Sequence, residues 1–269
     1  MRKLIVLLLL TGCSFYGPQR RHYRSNLVEY LFPEGMQSQP AAARLQLPLR
    51  IGIAFVPCEP EPLDPQSEQR LAGLVKNAFA GRDWVGEIVT IPSSYLVPRG
   101  GYDNLEQVAR LMNVDVVALV SVDQLQYSDP TMLSFLYVSI VGEYLLPGDR
   151  NDTRTLIDVA VVDVRSRSFL LRAPGTSRIS GMATPVEAER RLRRKSDEGL
   201  RLAMLDLTKN LDAEVGSFKA SVAAGERSGV DIITRDGRSI RAGGAIDPVS
   251  AILLLIVVAA AFVPMRRTR

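Results

Sequence analysis

Residues 154–180, RTLIDVAVVDVRSRSFLLRAPGTSRIS, restrict the possible folds more than any other stretch of the chain. Leu156, Asp158, Ala160, Val162 and Val164 interleave with Ile157, Val159, Val161 and Asp163, which is the period of two that a strand imposes on its side chains. Arg165-Ser166-Arg167-Ser168 reads as a turn into a second strand that begins at Phe169, so the stretch predicts a β-hairpin. A helix follows directly. Thr184 stands as its N-cap, Pro185 at its first position, and Glu187 three residues beyond the cap, the spacing of a capping box. The helical pattern then runs to about Val222, with a break expected near Gly216.

Upstream, strand and helix periods alternate. LPLRIGIAFVP predicts a buried strand over 49–57, closed by Pro57. Leu71, Leu74, Val75, Ala78 and Phe79 recur at helical spacing within 66–79. GEIVTIPSSYLVP reads as a strand and its exit loop. NLEQVARLMN places Leu105, Val108, Leu111 and Met112 on one helical stripe with Asn104 as the expected N-cap. VDVVALVSVDQLQYSD is a further strand, and VDIITRDGRSI a short hairpin turning at Asp236-Gly237. The order β-α-β-α-β, hairpin, long helix predicts an α/β (α+β) fold: a mixed sheet with packed helices and a long C-terminal helix. The domain is expected over residues 49–242, and residues 13–48, rich in Pro, Gln, Arg and Ser, as a linker with one short helix around 26–31.

Both ends of the chain are hydrophobic. MRKLIVLLLLTGC opens on Arg2 and Lys3, continues through an apolar run from Leu4 to Leu10, and stops at Cys13. Seven apolar residues are too few to cross a bilayer, which takes about 20, and they suit a cleaved signal segment over 1–12. At the other end, the 17 residues from Val249 to Met265 are apolar except for Ser250, near the lower limit for a spanning helix. Arg266, Arg267 and Arg269 follow it, and the excess of positive charge places that end in the cytoplasm. The formal net charge of +4 belongs largely to these ends, since residues 13–244 hold 28 bases and 28 acids. Composition therefore makes no case for nucleic acid as a partner.

The leading segment, with Leu10-Thr11-Gly12 directly before Cys13, resembles the bacterial lipoprotein lipobox. The resemblance implies cleavage before Cys13 by lipoprotein-processing machinery and acylation of that residue, several acyl chains giving the stable anchor that one does not. Ser14 in place of aspartate implies sorting to the outer membrane. The closing segment, residues 243–269, resembles the GlyGly-CTERM pattern recognised by rhombosortase, a rhomboid-type intramembrane protease: Gly243-Gly244, an apolar helix, then the arginines. It departs from the commonest version in Asp247-Pro248 after the glycines and Thr268 among the arginines. The two ends together look like those of the rhombotarget lipoproteins, which implies proteolytic removal of the tail near Gly243 and Gly244. Before processing the C-terminus would lie across the inner membrane; afterwards the acyl chains alone would hold the protein at the outer membrane. A permanent tail anchor, with the chain as an inner-membrane scaffold held at both ends, is the competing expectation.

Within the domain, VARLMNVDVVALVSVDQ and TLIDVAVVDVRSRSFLLRA resemble the small periplasmic α/β domain in the N-terminal part of the Tol translocation protein and in curli-secretion-like lipoproteins. This implies a binding or assembly module with a periplasmic or surface protein as partner. The residues point the same way. No GxSxG, P-loop or GxGxxG occurs, and the single histidine, His22, falls in the linker, where a solvated imidazole is the ordinary reading. Zinc sites of the common spacings need more than one histidine or cysteine pair, so neither a metal nor a cofactor is expected. With Cys13 acylated, Cys58 is the remaining thiol, either buried and inert or paired with another molecule. ERRLRRKSDE at 189–198 reads either as a solvated helix face paired at i,i+4, for example Glu189 with Arg193, or as a contact for anionic lipid headgroups. MLSFLYVSIVGEYLLPG at 132–148 reads as core strand and turn or as an exposed apolar loop. The expected function is that of a non-enzymatic lipoprotein with no catalytic residue.

Overall fold

A computed structural model describes residues 19–35, 41–58, 62–130, 149–183, 185–227, 229–234 and 239–241. Cys13, Gly243, Gly244, Arg266, Arg267, Arg269, Thr184 and the run 132–148 lie outside the described residues, as does the turn at Asp236-Gly237. Among the described residues no helix is long and apolar enough to cross a membrane.

The fold is mixed α+β. In chain order the elements are β1 (Gln19–Arg24), α1 (Leu27–Leu31), β2 (Ala43–Gln46), β3 (Leu49–Phe55), α2 (Pro65–Phe79), β4 (Val85–Ile91), α3 (Gly101–Met112), β5 (Val116–Pro130), β6 (Asp149–Asp163), β7 (Ser168–Ala183), α4 (Pro185–Ala223), β8 (Val230–Ile233) and β9 (Ser239–Arg241). The main sheet runs β4-β3-β5-β6-β7. β3 is parallel to β4 and β5, whereas β5-β6-β7 is an antiparallel meander. α2 and α3 connect parallel strands, and they lie on opposite faces of the sheet. Leu71, Val75 and Phe79 of α2 join the core on the α4 side, while Leu105, Val108 and Ala109 of α3 join the other. β5 feeds both cores by alternation: Val116, Ala118, Val120 and Val122 face one, Val117 and Leu119 the other.

Each helix has a local cause. Asp64 caps α2 by accepting from the Ser67 N–H at 3.0 Å, and Pro65 occupies its first turn. Asn113 ends α3 in the left-handed region at φ 52°, its N–H directed to the carbonyls of Ala109 and Arg110. α4 has 39 residues, about 58 Å of helix. It lies along strands of 15 and 16 residues, roughly 50 Å long, so the meander supplies a bed of matching length. Gly175 of β7 allows the closest approach, since a Cβ there would stand 2.2 Å from the Ala203 carbonyl oxygen.

The bed changes character along its length. Under Leu200, Ala203, Met204, Leu207 and Leu211 it is apolar. Under the start of α4 the same sheet face turns polar, with Gln124, Gln126, Thr153 and Thr155 all buried. Gln124 Nε2 donates to Thr155 Oγ1 at 2.9 Å and to the Ser196 carbonyl at 3.0 Å. Gln126 Nε2 donates to the Leu192 carbonyl at 2.9 Å, and Ser177 Oγ to the Gly199 carbonyl at 2.7 Å. Helix carbonyls that already accept one bond take a second here, fixing the axial position of α4 as apolar packing alone would not.

Four expectations need correction. The stretch 13–48 is not a plain linker. β1 pairs with β5 from Gln19↔Ser128 to Arg24↔Asp123, and β2 pairs with β8, building a small sheet β2-β8-β9. β1 reads as a linker because QRRHYR is polar throughout, yet β5 extends beyond β3 and offers it a free edge. His22 therefore belongs to a strand and not to a linker; it is exposed, as expected, with its Nε2 2.8 Å from Asp123 Oδ1. Asn104 is not the N-cap of α3, which starts at Gly101. Its Oδ1 instead accepts from the Val97 N–H at 2.9 Å and the Tyr30 hydroxyl at 3.0 Å, tying the preceding loop and α1 to the helix. Gly216 does not break α4, because its neighbours Val215, Phe218 and Val222 still pack on the core.

One buried acid sets a pH dependence. Glu68, in the first turn of α2, is 4 % exposed; one oxygen accepts from the Ser93 N–H at 3.4 Å, and Oε1 has no partner. Burial pushes its carboxyl above the ordinary value, more than the Ser93 bonds lower it. The folded state thus holds this proton more tightly than the unfolded one. Its contribution is present below the ordinary glutamate range and is lost as pH rises through the raised folded value. Glu68→Gln should therefore stabilise the protein by about 1 kcal/mol at pH 8, a difference that closes towards pH 4. Urea midpoints at the two pH values test this, and an equal gain at both would contradict it.

Candidate functional site

The large cavity of the domain opens between the main sheet and the small one. Its floor is β3 and β5, at Ile51, Ile53, Val116 and Ala118. One wall is α2, at Val75 and Phe79; the other is the last third of α4, where Leu211, Val215, Phe218 and Val222 follow helical spacing. Leu45 and Ile232 of the small sheet close the far side. The volume is about 810 Å³, within the range of small-molecule sites. The cavity exists because β2-β8 holds its own register with Gln46↔Ile233 and lies apart from the five-stranded path of the main sheet, leaving the apolar face of α4 only partly covered.

The rim is polar and aromatic. Arg82, Asp83, Trp84, Lys219 and Thr234 surround it. Trp84 meets Phe79 edge to face, centroids 6.0 Å apart, and Lys219 Nζ lies 4.9 Å from the Trp84 ring. Arg82 reaches across to Asp212 of α4 at 2.9 Å, so its charge is engaged. Lys219 has no carboxylate partner among the described residues. Among those residues no thiol, histidine or serine hydroxyl lines the cavity, whose walls are mostly aliphatic and aromatic.

A second concavity, about 730 Å³, lies on the opposite face between α1, the start of α3 and β5–β7. Its charges already satisfy one another: Arg172 Nε stands 2.8 Å from both Asp158 oxygens, and Arg167 Nη2 2.6 Å from Asp103. Arg24 also lines it and is exposed.

Cys58 is 9 % exposed, and burial raises its thiol above the ordinary value, although Ser25 bonds partly offset this. Such a thiol carries little thiolate and reacts slowly. Among the described residues no group of three or more His, Cys, Asp or Glu is placed to hold a metal ion. Cys13, Gly243 and Gly244, the residues expected to be acylated and cut, lie outside the described residues. The cavity itself escaped the sequence because its walls are ordinary core positions. The one signal in the sequence was the apolar helical stripe of Leu211, Val215, Phe218 and Val222.

The sequence matches no family model and no curated protein. Solved structures overlap it distantly. PelC, a dodecamer from Paraburkholderia phytofirmans, is 13% identical, with 71% of this chain and 98% of that one covered at a TM-score of 0.31. A protein assigned as a lipoprotein of Caulobacter crescentus is 10% identical over 62% of this chain and 90% of its own, with a TM-score of 0.30. One assigned as a neuraminyllactose-binding hemagglutinin homolog of Helicobacter pylori is 11% identical over 74% and 98%, with a TM-score of 0.36. At these scores the overlaps carry no argument about function or assembly.

Proposed function

We infer that this chain is an acylated envelope lipoprotein, without catalytic activity, whose domain binds a single-chain amphiphile. The observation that carries the reading is the apolar cavity of about 810 Å³ with a lysine at its rim. An acyl chain would lie along Ile53, Val75, Val215 and Phe218, and an anionic head would meet Lys219 beside Trp84. Burying chain methylenes contributes about 0.8 kcal/mol each, so a chain of moderate length suffices for micromolar binding. The lipobox-like start supports an acyl anchor at Cys13, and the tail supports removal by a rhomboid-type protease, leaving the protein at the outer membrane.

Displacement of a fluorescent fatty acid from the purified mature protein tests the binding. Val215→Trp fills the cavity from the α4 wall and should weaken binding at least about tenfold, with the thermal midpoint unchanged or raised. Lys219→Glu should weaken it about fivefold through repulsion of the head. Wild-type affinity in Val215→Trp would remove the cavity as the site.

A further inference from the structure

The geometry points to a membrane-docking surface made by residues 190–194 of α4 and by β1, fitted to anionic phospholipid headgroups. The pairing registers bring several chain ends to one end of the sheet. Gln19 lies opposite Ser128, Pro130 opposite Asp149, and Asp149 opposite Ala183, two residues before α4 begins. The start of β1 and the start of α4 are therefore neighbours. Gln126 donates to the Leu192 carbonyl and pairs in register with Arg21, so Arg21 projects on the face that α4 occupies.

Leu192, Ser196 and Gly199 point down onto the sheet, as burial and the Gln124 and Ser177 bonds show. Helical spacing then turns Arg190 and Arg194 outward, a turn apart on the opposite side of the helix. Both are exposed, and among the described residues neither has a partner. Arg191 and Arg193 add charge on the flanks. Five of the six residues from Arg190 to Lys195 are bases, and on the outward side Asp197 and Glu198 follow, the latter held by Arg201, so Arg190 and Arg194 are the charges this side offers a partner. The occupant follows from position. Cys13 is six residues before Gln19, a tether of at most about 20 Å, so an acyl anchor there brings this end of the domain within reach of the bilayer without itself docking it. The inference rests on the acylation reading for its orientation.

The test uses the full mature chain reconstituted into vesicles through its own anchor. Asp197→Cys, exposed on the same helix, takes a fluorophore while Cys58 stays buried and unlabelled. Quenching by a headgroup nitroxide is compared in neutral phosphatidylcholine and in vesicles with phosphatidylglycerol. Docking predicts strong quenching only in the anionic vesicles, lost at high salt. Arg190→Ala with Arg194→Ala should lower the docked-to-undocked ratio by about thirtyfold, since each base near an anionic surface is worth about fivefold. Equal quenching in the two vesicle types, or no loss in the double variant, overturns the proposal. Failure of the acylation reading shows separately, as a mature chain whose mass includes no acyl groups.

Discussion

Gly175→Ala should destabilise the domain by about 3 kcal/mol or more, a large part of the roughly 5–15 kcal/mol that holds a domain of this kind. The added carbon would meet the Ala203 carbonyl oxygen at 2.2 Å, the Leu207 nitrogen at 2.4 Å and Leu207 Cβ at 2.5 Å. Two of those atoms are α4 backbone, and they cannot rotate away. Relief needs α4 to lift from β7, which exposes Met204 and Leu207, both fully buried now. Two other glycines calibrate the measurement. At Gly199 the nearest atoms are the ends of side chains, Thr155 Oγ1 at 2.8 Å and Gln124 Nε2 at 3.4 Å, so alanine there should cost less, part of it returned as helix propensity. At Gly216 nothing lies within 4 Å, and alanine should stabilise by about 0.5–1 kcal/mol. Urea denaturation of the three variants gives the order, and a Gly175→Ala protein as stable as wild type would contradict the seating of α4.

The same contact explains what the sequence could reveal of the fold. Elements with a strong period were legible: the hairpin of β6 and β7, α2 through its stripe at Leu71, Leu74, Val75, Ala78 and Phe79, and the buried strand β3. Their signals are local, so one chain suffices to read them. β1 was not legible, because a charged edge strand draws its stability from hydrogen bonds to β5 and buries little. Nor was the start of α3, where Gly101 begins the helix at φ 64° without a side-chain cap, and Asn104, a good cap by type, serves the loop instead. Gly216 misled for the opposite reason: propensity favours a break, while tertiary packing of Phe218 and Val222 carries the helix through.

The cavity and the polar bed under α4 share a further property. Each depends on residues distant in sequence: Val75 with Val215 in one, Gln124 with Ser196 in the other. VSVDQLQ reads as a strand from its alternation, but nothing local distinguishes a glutamine that faces water from one that faces a helix carbonyl. The polar bed nevertheless restricts how α4 can slide. An apolar interface tolerates small shifts, whereas Gln126 and Gln124 must each find one carbonyl, four residues apart on the helix. That registration places Phe218 and Lys219 at the cavity rather than one turn away from it.

Cys13→Ala should abolish acylation entirely, and Gly243→Val with Gly244→Val should leave the C-terminal tail attached. These are the all-or-none effects expected of the chain, and intact mass of the protein extracted from membranes reads both. Cys13 carries the one thiol at the lipobox-like site, and the neighbouring Thr11 and Ser14 hydroxyls are far weaker nucleophiles, so its loss should leave the segment unacylated. Removal of the tail depends on a backbone that can leave the helix and enter a protease, and the glycine pair provides this where valines, with branched Cβ atoms, do not. The two lesions should separate in location. Without acylation the processed domain should lose its anchor; with an uncut tail the run 249–265, apolar except for Ser250, and the arginines beyond should hold the chain in the inner membrane despite its acyl groups. Loss of the protease should reproduce the second state. A wild-type mature protein that still contains Arg266 and Arg267 would instead make the tail a permanent anchor and the chain an inner-membrane scaffold. The domain would then stand between two attachments.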